Sequence, residues 1–347
     1  NVIISPLSIS CALSMALQGA GTTTKDSMMK TLKYEEMQLE DINTTYMHIL
    51  DYLEKADNKI KLDINNSIWI RKGKGIKEEF INVNKDVFKA YVTELDFSDE
   101  NATTQINQWV ADSTNNKIKQ IIQPPIAPNT AMYLINAIYF KGEWTDKFDK
   151  RDTFAAKFYS GNGETREVMM MSKKDEIEYG EGDDFKVVRL PYGEEKVSMY
   201  CILPAENIPI NDFIKELDSN KWEEIKNSVY ARKDLYLNIP RFKIEYGIKN
   251  LNNCLIAMGM EEAFLQDKAD FSGIADGTLF INQVLHKAII EVDEKGSEAA
   301  AASISIADSA PLEPPSFIAD RPFIFIITED TSGTILFIGK LYDCEKY

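Results

Sequence analysis

Hydrophobic residues recur at two spacings along the chain, one typical of helices and one typical of strands, and the two are intermixed from end to end. The helical spacing predicts three amphipathic helices early in the chain, one that begins at Pro6, one over residues 41–57 and one over residues 103–122. Ser5 is a typical N-cap for the first helix, and Pro124-Pro125 is expected to stop the third.

Strand patterns dominate the remainder of the chain. Residues 132–140 form an almost wholly apolar run, which predicts a strand buried on both faces. Shorter apolar or alternating runs predict further strands at residues 187–190, 197–203, 235–239, 284–292, 323–327 and 335–338. Residues 247–258 have helical spacing closed by Gly259, so a helix is predicted there. Helices and strands without regular alternation predict an α+β fold.

One long segment between two predicted strands fits neither pattern. Residues 296–315 contain four consecutive alanines, then a Ser/Ile alternation, then three prolines. Alanines favour a helix, the alternation favours a strand, and the prolines favour an exposed loop. A connection of about twenty residues is unusual in a compact domain unless it has a function, so this segment is a candidate functional element.

Composition narrows the classes of partner. The 347 residues include 39 Lys+Arg and 55 Asp+Glu, for a net charge of −16. Nucleic-acid and heparin-type partners need a basic stripe, and the sequence contains none, so neither is expected. No run of eighteen apolar residues is present, so no membrane span is expected. Cysteine usage does not decide the compartment, and an extracellular location is favoured.

The sequence offers no catalytic or metal-binding constellation, so no enzyme activity, metal or cofactor is expected. Its only histidines are His48, predicted on a surface helix, and His286, predicted on an apolar strand face. Two isolated histidines and four scattered cysteines do not supply a zinc site or a nucleophile–base pair. Neither a P-loop nor a GxGxxG motif is present.

The sequence around the long segment resembles the serpin family. Residues 317–327 match the family's signature just after its reactive loop, and residues 293–300 resemble the family's hinge. Further matches occur in the family's order along the whole chain, at residues 1–9, 136–144, 285–288 and 337–340. One departure is that the family's first helix, which would lie ahead of Asn1, is absent from this sequence.

The resemblance implies a serpin fold over residues 1–347 as a single domain, with three β-sheets, eight or nine helices and an exposed reactive-centre loop at about residues 294–316. It implies a monomeric suicide-substrate inhibitor that forms a covalent complex with a serine protease. After cleavage the loop inserts as a new strand of the largest sheet and carries the acylated protease with it. The alternative is a non-inhibitory serpin that acts as a carrier, chaperone or storage protein.

The resemblance also assigns roles to particular residues. The loop hinge comprises Glu294, Gly296, Ser297, Glu298, Ala299, Ala300, Ala301 and Ala302. A buried polar cluster beneath the opening sheet, called the shutter in this family, comprises Ser5, Ser8, Asn136 and His286. Trp144 matches the position near which the loop enters the sheet, called the breach.

The loop residues favour the inhibitory alternative. An inserted strand must bury every second residue, and one such set contains only Ser and Ala: Ser297, Ala299, Ala301, Ser303, Ser305, Ala307 and Ser309. Insertion therefore buries no charge and no bulky side chain on that face.

The reactive bond is expected near Ala310. Counting from the hinge gives Ala310–Pro311, and counting back from Pro322 gives Pro311–Leu312. A prolyl nitrogen is a poor leaving group for most serine proteases, so Ser309–Ala310 is favoured and Ala310–Pro311 comes second. No Arg or Lys occurs between Lys295 and Arg321, which predicts an elastase- or subtilisin-like target with a small-residue preference.

Overall fold

A computed structural model describes residues 1–296 and 315–345. The α-helices in these ranges are Pro6–Leu17 (α1), Thr22–Thr31 (α2), Leu39–Lys55 (α3), Glu78–Phe88 (α4), Ala102–Ser113 (α5), Ile210–Glu216 (α6), Ser219–Asn227 (α7) and Asn252–Leu255 (α8). The strands are Val2–Ile4 (β1), Ile60–Arg71 (β2), Tyr91–Leu95 (β3), Met132–Gly142 (β4), Phe154–Tyr159 (β5), Thr165–Glu181 (β6), Phe185–Tyr192 (β7), Val197–Pro204 (β8), Tyr230–Pro240 (β9), Phe242–Asn250 (β10), Gln283–Val292 (β11), Ser316–Ile318 (β12), Phe323–Glu329 (β13) and Ile335–Leu341 (β14).

One sheet has five strands in the order β10-β11-β4-β2-β3. Within it β11 pairs with β4 in parallel and β2 pairs with β3 in parallel, whereas the other two pairings are antiparallel. The central strand β4 is buried along almost its whole length, as its apolar sequence predicted.

The other strands form one hydrogen-bonded network of nine, in which the long strand β6 is shared by two parts. The first residues of β6 pair with β5, and residues 170–179 of β6 pair with β9, which leads to β12. The last residues of β6 pair with β7, which leads through β8 and β13 to β14 and β1. Together with the five-stranded sheet, these two parts account for the three sheets that the resemblance implies.

The five-stranded sheet is covered on both faces. Alternate residues of a strand point to opposite faces, and Leu134 of β4 packs with helix α1 while Ile135 packs with helix α5. The same division holds on β11, where Val284 belongs to the first cluster and Leu285 to the second. Both faces of the β4–β11 pairing are therefore buried.

Most predicted elements are confirmed. Helix α1 begins at Pro6, and the Ser5 side chain accepts a hydrogen bond from the Ser8 backbone N–H, as expected of an N-cap. Helix α3 agrees with the prediction for residues 41–57, and His48 is exposed on it. The predicted strands after residue 130 are all present. No helix in residues 1–296 and 315–345 combines the length and apolar character needed to cross a membrane.

The helix predicted over residues 103–122 is too long, because α5 ends at Ser113. The Thr114 hydroxyl donates to the Val110 carbonyl at 2.7 Å and accepts from the Ile118 N–H at 3.1 Å, which turns the chain. Asn107 accepts hydrogen bonds from the next segment and holds it against α5. Side-chain bonds to the backbone thus end the helix well before Pro124.

The helix predicted over residues 247–258 is also wrong in its first part. Strand β10 continues to Asn250, and α8 begins only at Asn252. Pairing of β10 with β11 outweighs the local helical spacing. Gly259 does lie close to the end of the helical segment, with a φ of +108° that favours glycine.

Candidate functional site

The parallel pairing between β4 and β11, hereafter the seam, organises the candidate site. Residues 133–139 of β4 pair in register with residues 283–289 of β11. Beyond this stretch β4 continues to Gly142 and β11 to Val292, without further pairing between the two strands. The seam is therefore closed along its middle and ends near Trp144 and Asp293, a region we call the upper end.

A buried polar cluster crosses the middle of the seam. Asn66 of β2, Asn136 of β4 and His286 of β11 occupy the same level on three adjacent strands. The Asn136 amide donates to the Asn66 side-chain oxygen at 2.6 Å and also to the Ser8 hydroxyl, and its oxygen lies 2.6 Å from His286 Nδ1. Ser8 lies on α1, so the cluster links the sheet to that helix.

The hydrogen bonds determine the tautomer of His286. Its Nε2 accepts the Ser5 backbone N–H at 3.3 Å, so the ring proton is on Nδ1, which donates to the Asn136 oxygen. Burial lowers the pKa of His286 to about 4. The ring is therefore neutral at physiological pH, and the cluster contains no charge.

A buried ion pair lies at the upper end. The Glu294 side chain is only 1% exposed, and the Arg241 Nε atom donates to its Oε1 at 2.6 Å. The Thr153 hydroxyl donates to the same oxygen at 2.6 Å. Burial alone would raise the pKa of Glu294, but the bonds from Arg241 and Thr153 outweigh it and lower that pKa.

Trp144 lies beside this ion pair. Its ring stacks on Tyr192 with centroids 4.2 Å apart, and its Nε1 atom donates to the Asp293 carbonyl at 2.9 Å. The Trp144 backbone N–H donates to the Lys295 carbonyl at 2.9 Å. These contacts bind the end of β11 to the segment that follows β4.

Gly296 is the last residue described before the long segment, and its position requires glycine. Its φ is +103°, and a Cβ atom there would lie 2.4 Å from the Trp144 backbone nitrogen and 2.6 Å from the Gly142 carbonyl oxygen. Gly296 also forms a β-bridge with Glu143. The segment therefore begins directly against the end of β4.

The chain returns on a different sheet. The Tyr236 N–H donates to the Pro315 carbonyl at 3.0 Å, and β12 then pairs in parallel with β9. Phe317 of β12 is fully buried. The two ends of the long segment are thus held by separate sheets.

The structure brings Ser5, Ser8, Asn136 and His286 together in one cluster, and it brings Trp144, Glu294 and Gly296 together at the upper end. The other hinge residues and the residues of the expected reactive bond lie outside the described residues: Ser297, Glu298, Ala299, Ala300, Ala301, Ala302, Ser309, Ala310 and Pro311.

Sequence reasoning missed Asn66 and Arg241. Asn66 lies within a run of strand residues, and an amide at such a position is a signal that could have identified it. Arg241 had no such signal, because its partner is distant in sequence and becomes adjacent only through the fold.

Neither the seam nor its upper end has the arrangement of a catalytic centre. His286 has both ring nitrogens occupied by hydrogen bonds inside the core, and the Cys11 and Cys201 thiols are buried. Among residues 1–296 and 315–345, no group of three His, Cys, Asp or Glu side chains is arranged to hold a metal ion. The arrangement is that of two parallel strands held together by uncharged hydrogen bonds in the middle and by a buried ion pair at one end.

Comparisons of the sequence with known proteins identify a family and several relatives of this chain. The family model described as "Serpin (serine protease inhibitor)" matches residues 1–344. An uncharacterized serpin-like protein of Methanosarcina acetivorans is 35% identical, over 98% of this chain and 81% of the relative. The leukocyte elastase inhibitor of Homo sapiens is 33% identical, over 98% of this chain and 92% of the relative.

Two solved structures superpose over nearly the whole chain. The thermophilic serpin tengpin, in its native state, has a TM-score of 0.90 and 34% identity, and the match covers 99% of this chain and 88% of that chain. Thyroxine-binding globulin in complex with thyroxine has a TM-score of 0.90 and 28% identity, with coverage of 99% and 93%.

Proposed function

This chain belongs to the serpin family, and from that premise we propose that it is a suicide-substrate inhibitor of serine proteases. A target protease cleaves the reactive-centre loop, and the loop inserts into the seam before the acyl-enzyme is hydrolysed. The protease remains covalently attached to a monomeric inhibitor. The whole of residues 1–347 acts as one domain in this proposal.

The direct pairing of β4 with β11 is the observation that carries the proposal. No described strand lies between them over residues 133–139 and 283–289, so the sheet has a position that another strand can fill. The loop begins at the matching place, because Gly296 bridges to Glu143 at the end of β4. A chain that reverses at Gly296 would run back along β11 and enter the seam from its upper end.

Strand direction also favours insertion. The loop would run antiparallel to β11 and, because β4 is parallel to β11, antiparallel to β4 as well. One parallel pairing would be replaced by two antiparallel pairings, which are slightly more stable per residue. A strand of about fifteen residues would add on the order of 15–25 hydrogen bonds, each with about 1 kcal/mol net. The uninserted form is then metastable and persists for kinetic reasons.

The first test is the formation of a complex that resists denaturation. The protein is incubated with neutrophil or pancreatic elastase and run on a denaturing gel. We expect a band at the summed mass of inhibitor and protease, because the acyl bond survives denaturation. Cleavage of the loop with no such band would overturn the proposal.

A matched pair of variants tests the insertion step itself. Ala299 belongs to the all-small set that must be buried, whereas Glu298 belongs to the opposite set, in which the chain already carries a long charged side chain. Ala299→Arg is expected to convert the inhibitor into a substrate, with at least a tenfold loss of trapped protease per loop cleaved. Glu298→Arg carries the same new side chain and should still trap protease. Equal behaviour of the two variants would contradict strand insertion.

The site of cleavage defines the target class. Mass spectrometry of the released loop peptide is expected to place the cut at Ser309–Ala310 or at Ala310–Pro311. Either bond presents a small residue to the protease, as elastase- and subtilisin-like pockets require. A cut outside residues 309–312 would refute this specificity.

A second candidate function is that of a non-inhibitory serpin, and the similarity to thyroxine-binding globulin supports it. Such a protein would form no covalent protease complex. Heating after loop cleavage separates the two functions further, because an inhibitor should melt at a much higher temperature once its loop has been inserted.

A further inference from the structure

A groove of about 560 Å³ lies where the chain returns from the loop onto β12. Phe185 of β7 and Leu203 of β8 lie beneath it, and both side chains are almost fully buried. At its edge Ile318 of β12 is 41% exposed. The accessible lining of the groove is more polar than apolar, so charged groups are the main feature that a partner would meet there.

The rim of the groove carries an excess of negative charge. Glu181, Asp183 and Glu206 line it, and all three are exposed. Asp183 and Glu206 have no ion-pair partner among the residues that the structure describes. The carboxylates on the rim are therefore available to an external cation.

The two cations of the groove are directed at backbone oxygens. Lys186 Nζ donates to the Ser316 carbonyl at 3.4 Å, and Arg321 Nη2 donates to the Pro204 carbonyl at 2.9 Å. The other guanidinium arm of Arg321 lies 3.5 Å from the carboxylate of Asp320. Both cations hold β12 in place, and neither reaches Asp183 or Glu206 within ion-pair distance.

The groove is close to the expected reactive bond. Ser316 follows Ala310 by six positions, so at most roughly 20 Å of extended chain separates them. A standard protein interface covers about 800 Å² per partner, which corresponds to a radius of about 16 Å. A protease bound at Ala310 would therefore reach the groove at the margin of its footprint.

The sequence of the loop has the same sign of charge as the groove. Residues 297–320 contain four acidic residues and no Lys, Arg or His: Glu298, Asp308, Glu313 and Asp320. A protease that approaches the reactive bond thus meets acidic side chains on the loop and on the rim. Charge complementarity of this kind mainly raises the association rate and selects partners.

We propose that this groove is a docking surface for a cationic surface segment of the target protease. The inference rests on the proposed function and narrows its target to proteases with a small-residue preference and a basic surface beside the active site. Lys or Arg side chains of the protease would lay their aliphatic stems on the exposed Ile318 side chain. Their charged ends would lie against Asp183 and Glu206.

The test is the association rate constant of the double variant Asp183→Lys/Glu206→Lys with an elastase of high isoelectric point. At low ionic strength we expect a decrease of about tenfold relative to the unaltered protein. The difference should shrink as salt is added, because the Debye length falls from about 30 Å at 0.01 M to about 3 Å at 1 M. A protease that also prefers small residues but has an acidic surface should react faster with the variant than with the unaltered protein.

The control is Glu35→Lys/Glu36→Lys, which changes the net charge by the same amount on exposed residues between α2 and α3. This control is expected to remain within about twofold of the unaltered rate. An equal decrease in both double variants would show that only overall charge matters and would overturn the docking surface. The docking surface would also be overturned if the double variant of the groove reacted at the same rate as the unaltered protein.

The apolar part of the groove is tested separately. Ile318→Ser should weaken protease association several-fold, whereas Met258→Ser, at a side chain 61% exposed elsewhere, should not. Both residues are exposed, so neither change is expected to affect folding. Equal rates for the two variants would contradict a contribution from Ile318 to protease binding.

Failure of the groove and failure of the proposed function give different results. Loss of docking lowers the association rate and leaves the fraction of protease trapped unchanged. If the unaltered protein traps no protease, the proposed function fails. The groove is then tested by equilibrium binding of a protease whose catalytic serine has been replaced by alanine. The same variants are used, and the groove variant is expected to bind more weakly than the control variant and the unaltered protein.

Discussion

The middle of the seam and its upper end are closed by different chemistry. In the middle, hydroxyls, amides and the neutral ring of His286 form a network without charge. At the upper end, the carboxylate of Glu294 is buried against Arg241, and Lys173 is partly buried, with its ammonium over the Phe148 ring at 5.0 Å. Burial lowers the pKa of Lys173.

This difference indicates different roles in opening. Uncharged donors and acceptors can exchange partners as strands separate, because each can find a substitute among hydroxyls or backbone groups. A buried charge has no such freedom, since removal of its partner leaves it uncompensated. In the opening that the proposed function requires, the middle of the seam would act as a joint and the ion pair at the upper end would act as a lock.

The largest expected effect comes from opening the lock. Arg241→Met leaves Glu294 buried without a cation and should lower the free energy of unfolding of the uncleaved protein by about 3–5 kcal/mol. Urea unfolding followed by circular dichroism measures this change. The control Arg241→Lys keeps a cation and should lose much less. The double change Arg241→Met/Glu294→Gln should recover most of the loss, and a single variant within 1 kcal/mol of the unaltered protein would contradict the lock.

A smaller effect is expected from titrating the joint. The pKa of His286 is about 4 in the folded protein and about 6.5 when unfolded, so the unfolded chain takes up the proton first. The neutral His286 ring therefore contributes to the free energy of unfolding. This contribution is fully present above pH 6.5 and decreases by on the order of 3 kcal/mol as the pH falls toward 4. The lock responds at lower pH, because the pKa of Glu294 lies below its usual value.

The measurement is the free energy of unfolding between pH 7 and pH 4, for the unaltered protein and for His286→Gln. The Gln side chain at position 286 is polar but does not titrate between pH 7 and pH 4. Its stability should be nearly independent of pH until the carboxylates protonate. An unchanged slope in the variant would assign the pH dependence to other groups.

The smallest effect distinguishes the upper end from the rest of the sheet. Trp144→Phe removes the bond from Nε1 to the Asp293 carbonyl, and Trp69→Phe removes an equivalent bond to the Ser67 hydroxyl, both at 2.9 Å. Each should cost about 1 kcal/mol of stability. Only Trp144→Phe should speed conversion of the uncleaved protein to a heat-resistant form, by about fivefold. Equal rates for the two variants would mean that this hydrogen bond does not restrain opening.

Local chemistry determined which elements could be predicted from the sequence. The cap at Ser5 and the apolar run at residues 132–140 depend on neighbours in sequence or on burial of a whole strand, and both predictions are confirmed. The helix predicted at residues 247–250 failed because the β10–β11 pairing is a tertiary effect. The excess length predicted for α5 failed because the Thr114 hydroxyl binds backbone groups four residues away, and hydrophobic spacing does not reveal that local competition.

Some residues of the candidate site could be identified from the sequence, and others could not. The residues of the polar cluster were identified by family resemblance, and Asn66 had the weaker signal of an amide within a run of strand residues, whereas Arg241 became visible only once β9 and β10 had brought it to Glu294. A partner that lies on another strand leaves no periodic signal in the sequence. The acidic rim of the groove is of the same kind, since Asp183 and Glu206 belong to different connections.

The imidazole of His286 is shared between a helix and a sheet. One nitrogen accepts the N–H of Ser5 at the start of α1, and the other donates to Asn136 in the middle of the seam. Separation of β11 from β4, as the proposed function requires, would break the bond between the ring and Asn136 and so perturb the imidazole. The chain has a single other histidine, His48, which is exposed. Nitrogen-15 magnetic resonance of the two rings would thus follow the seam in real time, with His48 as an internal reference.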